Sequence, residues 1–112
     1  MLITTVLLFA LAAILGAILL SKVFQDKETP KPVVYAHGLA AASALVLLFF
    51  AWYNNGDSLL LTSLLIFVIA ATGGFILFGK DVTGKPLPNW LAAVHALAAV
   101  TGFVILLIVV FL

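Results

Sequence analysis

His37 and His95 are the only side chains in this 112-residue chain whose unperturbed charge changes near neutral pH. They open near-copies of one apolar stretch, His37-Gly38-Leu39-Ala40-Ala41 and His95-Ala96-Leu97-Ala98-Ala99. Imidazole can ligate a metal or relay a proton. No intramembrane carboxylate accompanies the pair, which weakens a relay, and two histidines alone leave a zinc or copper ion short of ligands. The chain has no cysteine, which excludes disulfides, thiolate metal sites and covalent haem attachment through CxxCH. The single methionine, Met1, sits at the wrong end for thioether ligation. Thr4, Thr5, Ser43, Thr62, Ser63, Thr72 and Thr101 have apolar surroundings and no adjacent base, so they are expected to bond helix backbone rather than act as nucleophiles. Gly79-Lys80-Asp81-Val82-Thr83-Gly84-Lys85 has the spacing GxxxxGK. Pro86 stands where a phosphate-binding loop needs Ser or Thr, so this segment is a turn.

The elements that carry the histidines are set by hydropathy. Of the residues, 66% are apolar and 8% charged, against about a quarter charged in a soluble domain. The mean hydropathy is +1.39. Four apolar runs stand out: Leu2 to Leu20, Val33 to Tyr53, Leu59 to Phe78 and Leu91 to Leu112. Each reaches the roughly 20 residues that a helix needs to cross the hydrocarbon. The first run lacks a preceding Lys or Arg, so it is expected to be a retained span rather than a signal peptide. Asn54-Asn55-Gly56-Asp57-Ser58 marks a tight turn, with Asp57 or Ser58 capping the third helix.

Charge placement orients the spans. Lys22, Lys27 and Lys31 follow span one, and Lys80 and Lys85 follow span three, so all five lysines fall on one side. The other side carries only Asp57 and the termini. The excess makes the lysine side cytoplasmic and places both termini outside a bacterial inner membrane. Tyr35 and Trp90 near one interface, and Trp52 and Tyr53 near the other, suit aromatic anchoring.

Residues 1–112 form one transmembrane domain built from two repeats, 1–54 and 59–112. A gapless shift of 58 aligns Ala12-Ala13 with Ala70-Ala71, Gly16 with Gly74, Lys22 with Lys80, Pro30 with Pro88 and His37 with His95. In all, 18 of 54 aligned positions are identical, more than shared hydrophobicity supplies. Each repeat is a two-span hairpin, so the copies run parallel about an axis along the membrane normal. The expected fold is all-α: a transmembrane four-helix up-down-up-down bundle, with the histidine helices on a diagonal of roughly 12–14 Å.

Each histidine lies about five residues inside its span, roughly 8 Å below the cytoplasmic interface. Ala40, Ala41 and Ala44 share the face below His37, and Ala98, Ala99 and Gly102 the face below His95. Gly16 and Gly74 come at the same depth, and apart from the two imidazoles nothing large is expected in the middle of the bundle. A flat tetrapyrrole suits this arrangement: His37 and His95 as axial ligands, Gly16, Gly74, Ala41 and Ala99 giving the ring room, and Lys22 and Lys80 meeting its propionates. The cofactor would be one non-covalent haem b per chain.

The stretch GKDVTGKPLPNWLAAVHALAAVTGF, with its partner HGLAAASALVLLFFAW, resembles small bacterial membrane proteins of four spans. More loosely, histidines near helix ends in a four-helix core resemble membrane b-type cytochromes. That likeness implies six-coordinate iron and one-electron transfer, with quinone or a membrane or cytoplasmic redox protein as partner. Many such cytochromes hold two histidine pairs, whereas this chain holds one. Two other functions are compatible with the same residues: haem sensing or handling, and a haem-free accessory subunit whose small-residue faces pack against a partner or a second copy. No acid–base group or substrate pocket indicates catalysis.

Overall fold

The computed structural model describes all 112 residues as four helices and no strands: α1 (Leu2–Phe24), α2 (Lys31–Asn55), α3 (Ser58–Val82) and α4 (Asn89–Phe111). Each is long and apolar enough to cross a membrane. The molecule measures 41 × 23 × 21 Å, its long axis matching about 40–45 Å of bilayer including headgroups. Only 18 of 112 residues are buried, and Leu39, Ile69, Phe75 and Leu97 stand out among many large apolar side chains on the outer surface. Such a surface is stable against lipid and not against water.

The helices outrun the apolar runs at most ends. α1 continues past Leu20 to Phe24, and α3 runs through Gly79, Lys80 and Asp81 to Val82. Hydropathy marks where hydrocarbon stops, but backbone hydrogen bonding stays favourable through the headgroup layer, so the helix ends at the next turn signal instead. In α1 and α3 that signal is the same. The N–H of Lys27 donates to the Lys22 carbonyl (2.9 Å) and that of Lys85 to the Lys80 carbonyl (2.8 Å). Each bond closes over one left-handed residue, Asp26 (φ 58°) or Gly84 (φ 73°). Pro30 and Pro88 then precede α2 and α4 in extended conformation. At the opposite end Gly56, at φ 75°, terminates α2, and the Asp57 carboxylate accepts from the N–H groups of Leu59 and Leu60, making Asp57 the cap of α3.

Along the chain each helix packs on the next, α1 also packs on α4, and neither α1–α3 nor α2–α4 is a packed backbone pair. The centre is closed by side chains reaching across those diagonals. Leu48, Leu60 and Leu106 are fully buried, and Phe9 of α1 stacks on Phe67 of α3 with ring centres 3.9 Å apart and planes 7° from parallel. Phe67 also lies on the bare backbone of Gly102, where an added Cβ would fall 3.1 Å from its ring atoms. The middle of the bundle therefore does hold something large, contrary to the expectation from sequence: a phenyl pair toward the end away from the lysines. Ser63, fully buried, donates to the Gly102 carbonyl at 2.8 Å, while Thr5, Thr62, Thr72 and Thr101 each donate to the carbonyl four residues back in their own helices. These hydroxyls are spent on backbone, as expected of their surroundings, whereas Thr4 and Ser43, of which the same was expected, make no side-chain hydrogen bond.

Candidate functional site

His37 on α2 and His95 on α4 come from helices that do not touch, yet their side chains meet between them. The ring centres are 6.3 Å apart and the ring planes cross at 85°. Both residues are half-buried.

Each ring is held by the helix before it. His37 Nδ1 lies 2.8 Å from the Ala12 carbonyl oxygen on α1, and His95 Nδ1 lies 2.7 Å from the Ala70 carbonyl oxygen on α3. A carbonyl only accepts, so Nδ1 carries the hydrogen in both rings and, in a neutral imidazole, Nε2 keeps its lone pair. Neither Nε2 has a hydrogen-bond partner in the protein, and neither is sealed from contact. The pair thus presents two lone-pair nitrogens with fixed tautomers. A hydrogen bond at the other ring nitrogen is also what orients a ligating histidine and raises its basicity.

Gly16 and Gly74 lie at the depth of the histidines, each under an imidazole. A Cβ on Gly16 would stand 3.0 Å from His37 Cε1, and a Cβ on Gly74 3.0 Å from His95 Cε1. The space that these glycines free admits the imidazoles. Ala41 and Ala99 are both half-buried, one turn beyond the histidines, while Ala40 and Ala44 are buried behind them. Lys22 and Lys80 are half-buried at the lysine end, and neither makes a side-chain hydrogen bond or ion pair.

No protein-family model, curated protein or solved structure matches this chain.

No group of three or more His, Cys, Asp or Glu side chains converges anywhere in the molecule. A metal ion held by protein atoms alone would therefore have two nitrogen donors, too few for any of the usual coordination shells. A planar macrocycle with four nitrogens of its own would ask the protein for no more than two further donors. The phenyl pair bounds the site on the side away from the lysines.

Three features of the structure are not visible as side-chain chemistry in the sequence. The Ala12 and Ala70 carbonyls are backbone acceptors. The Phe9–Phe67 stack depends on helix rotation. The third is a polar cluster at the lysine end, where the Asp81 carboxylate of α3 accepts from the Thr29 hydroxyl (2.8 and 2.9 Å) and pairs with Lys31 Nζ (2.8 Å). A shift of 58 replaces these residues with Val23, Leu87 and Asn89, so the cluster has no counterpart in the other half. In the sequence Asp81 is one of three acidic residues on the lysine side, with Asp26 and Glu28, and nothing in the spacing marks it as the one that is paired.

Proposed function

We propose that the chain is a b-type haem protein of the bacterial inner membrane, with His37 and His95 as axial ligands to one haem per chain. The observation that carries this reading is the pair of imidazoles from opposite halves, 6.3 Å between centres, each with Nδ1 committed to a backbone carbonyl and Nε2 free. Haem iron with both axial positions filled supplies one-electron transfer rather than oxygen binding or activation. The protein's part is to hold both ligands in one tautomer, to exclude water with an apolar bundle, and to close the site toward the far face with Phe9 and Phe67. Lys22 and Lys80, which make no side-chain hydrogen bond or ion pair in the protein, would neutralise propionates at the lysine end. In this reading the bundle is two parallel-related hairpins in up-down-up-down order, the lysine side is cytoplasmic, both termini are outside, and electrons are exchanged with quinone or a membrane or cytoplasmic redox protein on the lysine side.

The test is the absorption spectrum of protein purified in detergent after expression with haem precursor supplied. A sharp Soret band with resolved reduced α and β bands is expected, at one haem per chain. His37→Ala and His95→Ala should each abolish the six-coordinate spectrum while helicity by circular dichroism is retained, and added imidazole should restore it. A colourless, folded protein obtained at full yield refutes the proposal and leaves the haem-free accessory subunit. Rapid exchange of the bound haem would instead indicate haem handling.

A further inference from the structure

In an α-helix a side chain leans toward the N-terminus and covers the turn before its own Cα. The carbonyl oxygen of residue i, directed toward residue i+4, is therefore screened from outside partners by the side chain at i+4. Ala12 is followed four residues later by Gly16, and Ala70 by Gly74. At both places the structure puts an imidazole where the screen is missing. His37 Nδ1 is 2.8 Å from the Ala12 oxygen with its Cε1 over Gly16, and His95 Nδ1 is 2.7 Å from the Ala70 oxygen with its Cε1 over Gly74.

We infer that Gly16 and Gly74 are positioning residues: each uncovers the carbonyl four residues before it, so that the histidine docks flush on bare backbone with Nδ1–H donating and Nε2 fixed as the lone-pair nitrogen. The clamp is built twice, once in each half, and the two copies turn their rings to 85°. The tautomer is a property of the protein alone. Its use as a pair of crossed axial ligands rests on the haem reading above. Crossed imidazole planes donate equally into the two π-symmetry d orbitals of a ferric iron and leave them nearly degenerate, whereas coplanar rings split them. The haem-loaded protein should therefore give a strongly anisotropic low-spin resonance with one dominant high-g feature, instead of a three-line rhombic signal.

Gly16→Ala and Gly74→Ala test the clamp. The new methyl would stand 3.0 Å from Cε1 and 3.3 or 3.5 Å from Nδ1, so the ring must retreat by a few tenths of an ångström from a carbonyl that it now touches. Gly38→Ala and Gly79→Ala are the controls, since nothing lies within 4 Å of either site. Two measurements separate the clamp from the haem reading. The first is nitrogen-15 NMR of histidine-labelled, haem-free protein in micelles. Both rings are expected as the Nδ1–H tautomer, with Gly16→Ala disturbing only His37, Gly74→Ala only His95, and the controls neither. The second is paramagnetic resonance of haem-loaded protein, expected to show the high-g signal in the wild type and the controls, and its loss or conversion to a rhombic signal in either clamp variant. Wild-type rings in the Nε2–H form or in tautomer exchange overturn the inference, as does a rhombic wild-type signal or a clamp variant that behaves like the controls. Protein that takes up no haem but shows both Nδ1–H rings retains the clamp and refutes the haem reading. Should the alanine variants fail to fold, the wild-type tautomer alone decides.

Discussion

Asp81 is the point at which the connection between α1 and α2 is tied to the end of α3, and removing it should loosen the lysine end by a calculable amount. The carboxylate is 13% exposed and accepts from the Thr29 hydroxyl, itself only 7% exposed, at 2.8 and 2.9 Å. One hydroxyl proton shared between two carboxylate oxygens counts as one charge-assisted bond, worth about 1.5–2 kcal/mol in this setting. Lys31 is 43% exposed, so solvent screens its 2.8 Å ion pair and its share falls to about 0.5 kcal/mol. Asp81→Ala should therefore cost about 2 kcal/mol, and Asp81→Asn, which keeps an acceptor for Thr29, about 1 kcal/mol. The assay is reversible unfolding in mixed micelles with a rising fraction of denaturing detergent, followed by far-ultraviolet circular dichroism. A double-mutant cycle of Thr29→Val with Asp81→Ala isolates the buried bond, with an expected coupling of about 1.5 kcal/mol. The cycle of Lys31→Ala with Asp81→Ala should give about 0.5 kcal/mol and shrink as salt rises from physiological to about 1 M, while the Thr29 coupling does not. The reasoning fails if the Thr29 coupling is below about 0.5 kcal/mol, or if salt abolishes it, because either would mean that the carboxylate is solvated rather than held.

Two packing predictions follow from the same geometry. Gly102→Ala drives a methyl to 3.1 Å from a Phe67 ring that cannot retreat, because Phe9 is stacked behind it at 3.9 Å. Overpacking of about 1–3 kcal/mol should outweigh the roughly 1 kcal/mol gained by removing a helical glycine. Gly38→Ala, with open space around it, should keep that gain, and the two variants should move the micelle unfolding midpoint in opposite directions. Asp26→Gly relieves a left-handed residue at the position aligned with Gly84, and should raise the unfolding free energy by about 0.5–1 kcal/mol without changing helicity.

Much of the architecture was legible in the residues because its cause is local. Four runs of about 20 apolar residues each had to satisfy their own backbone hydrogen bonds in lipid, and a helix is what does that. The shift of 58 sets His37 and His95 at equivalent positions in their apolar runs, a register that spacing alone determines. The turn signals were equally local: Asp57 caps α3 through its own side chain, and Gly56 supplies the left-handed residue before it.

What lay beyond the sequence is everything that depends on how each helix is rotated about its axis. These helices are apolar all round, so no polar stripe marks the outward face and no amphipathic pattern marks the inward one. Only packing could turn Phe9 and Phe67 into one central stack, and only packing could bring Thr29 and Lys31 onto Asp81 from fifty residues away. The histidines show the division most clearly. Their presence and depth belong to the sequence, but their partners are carbonyl oxygens, which every residue possesses and no residue type announces. Gly16 and Gly74 were readable as missing bulk; that the bulk is missing to admit an imidazole edge follows from a 3.0 Å approach that exists only once α1 lies on α2 and α3 on α4.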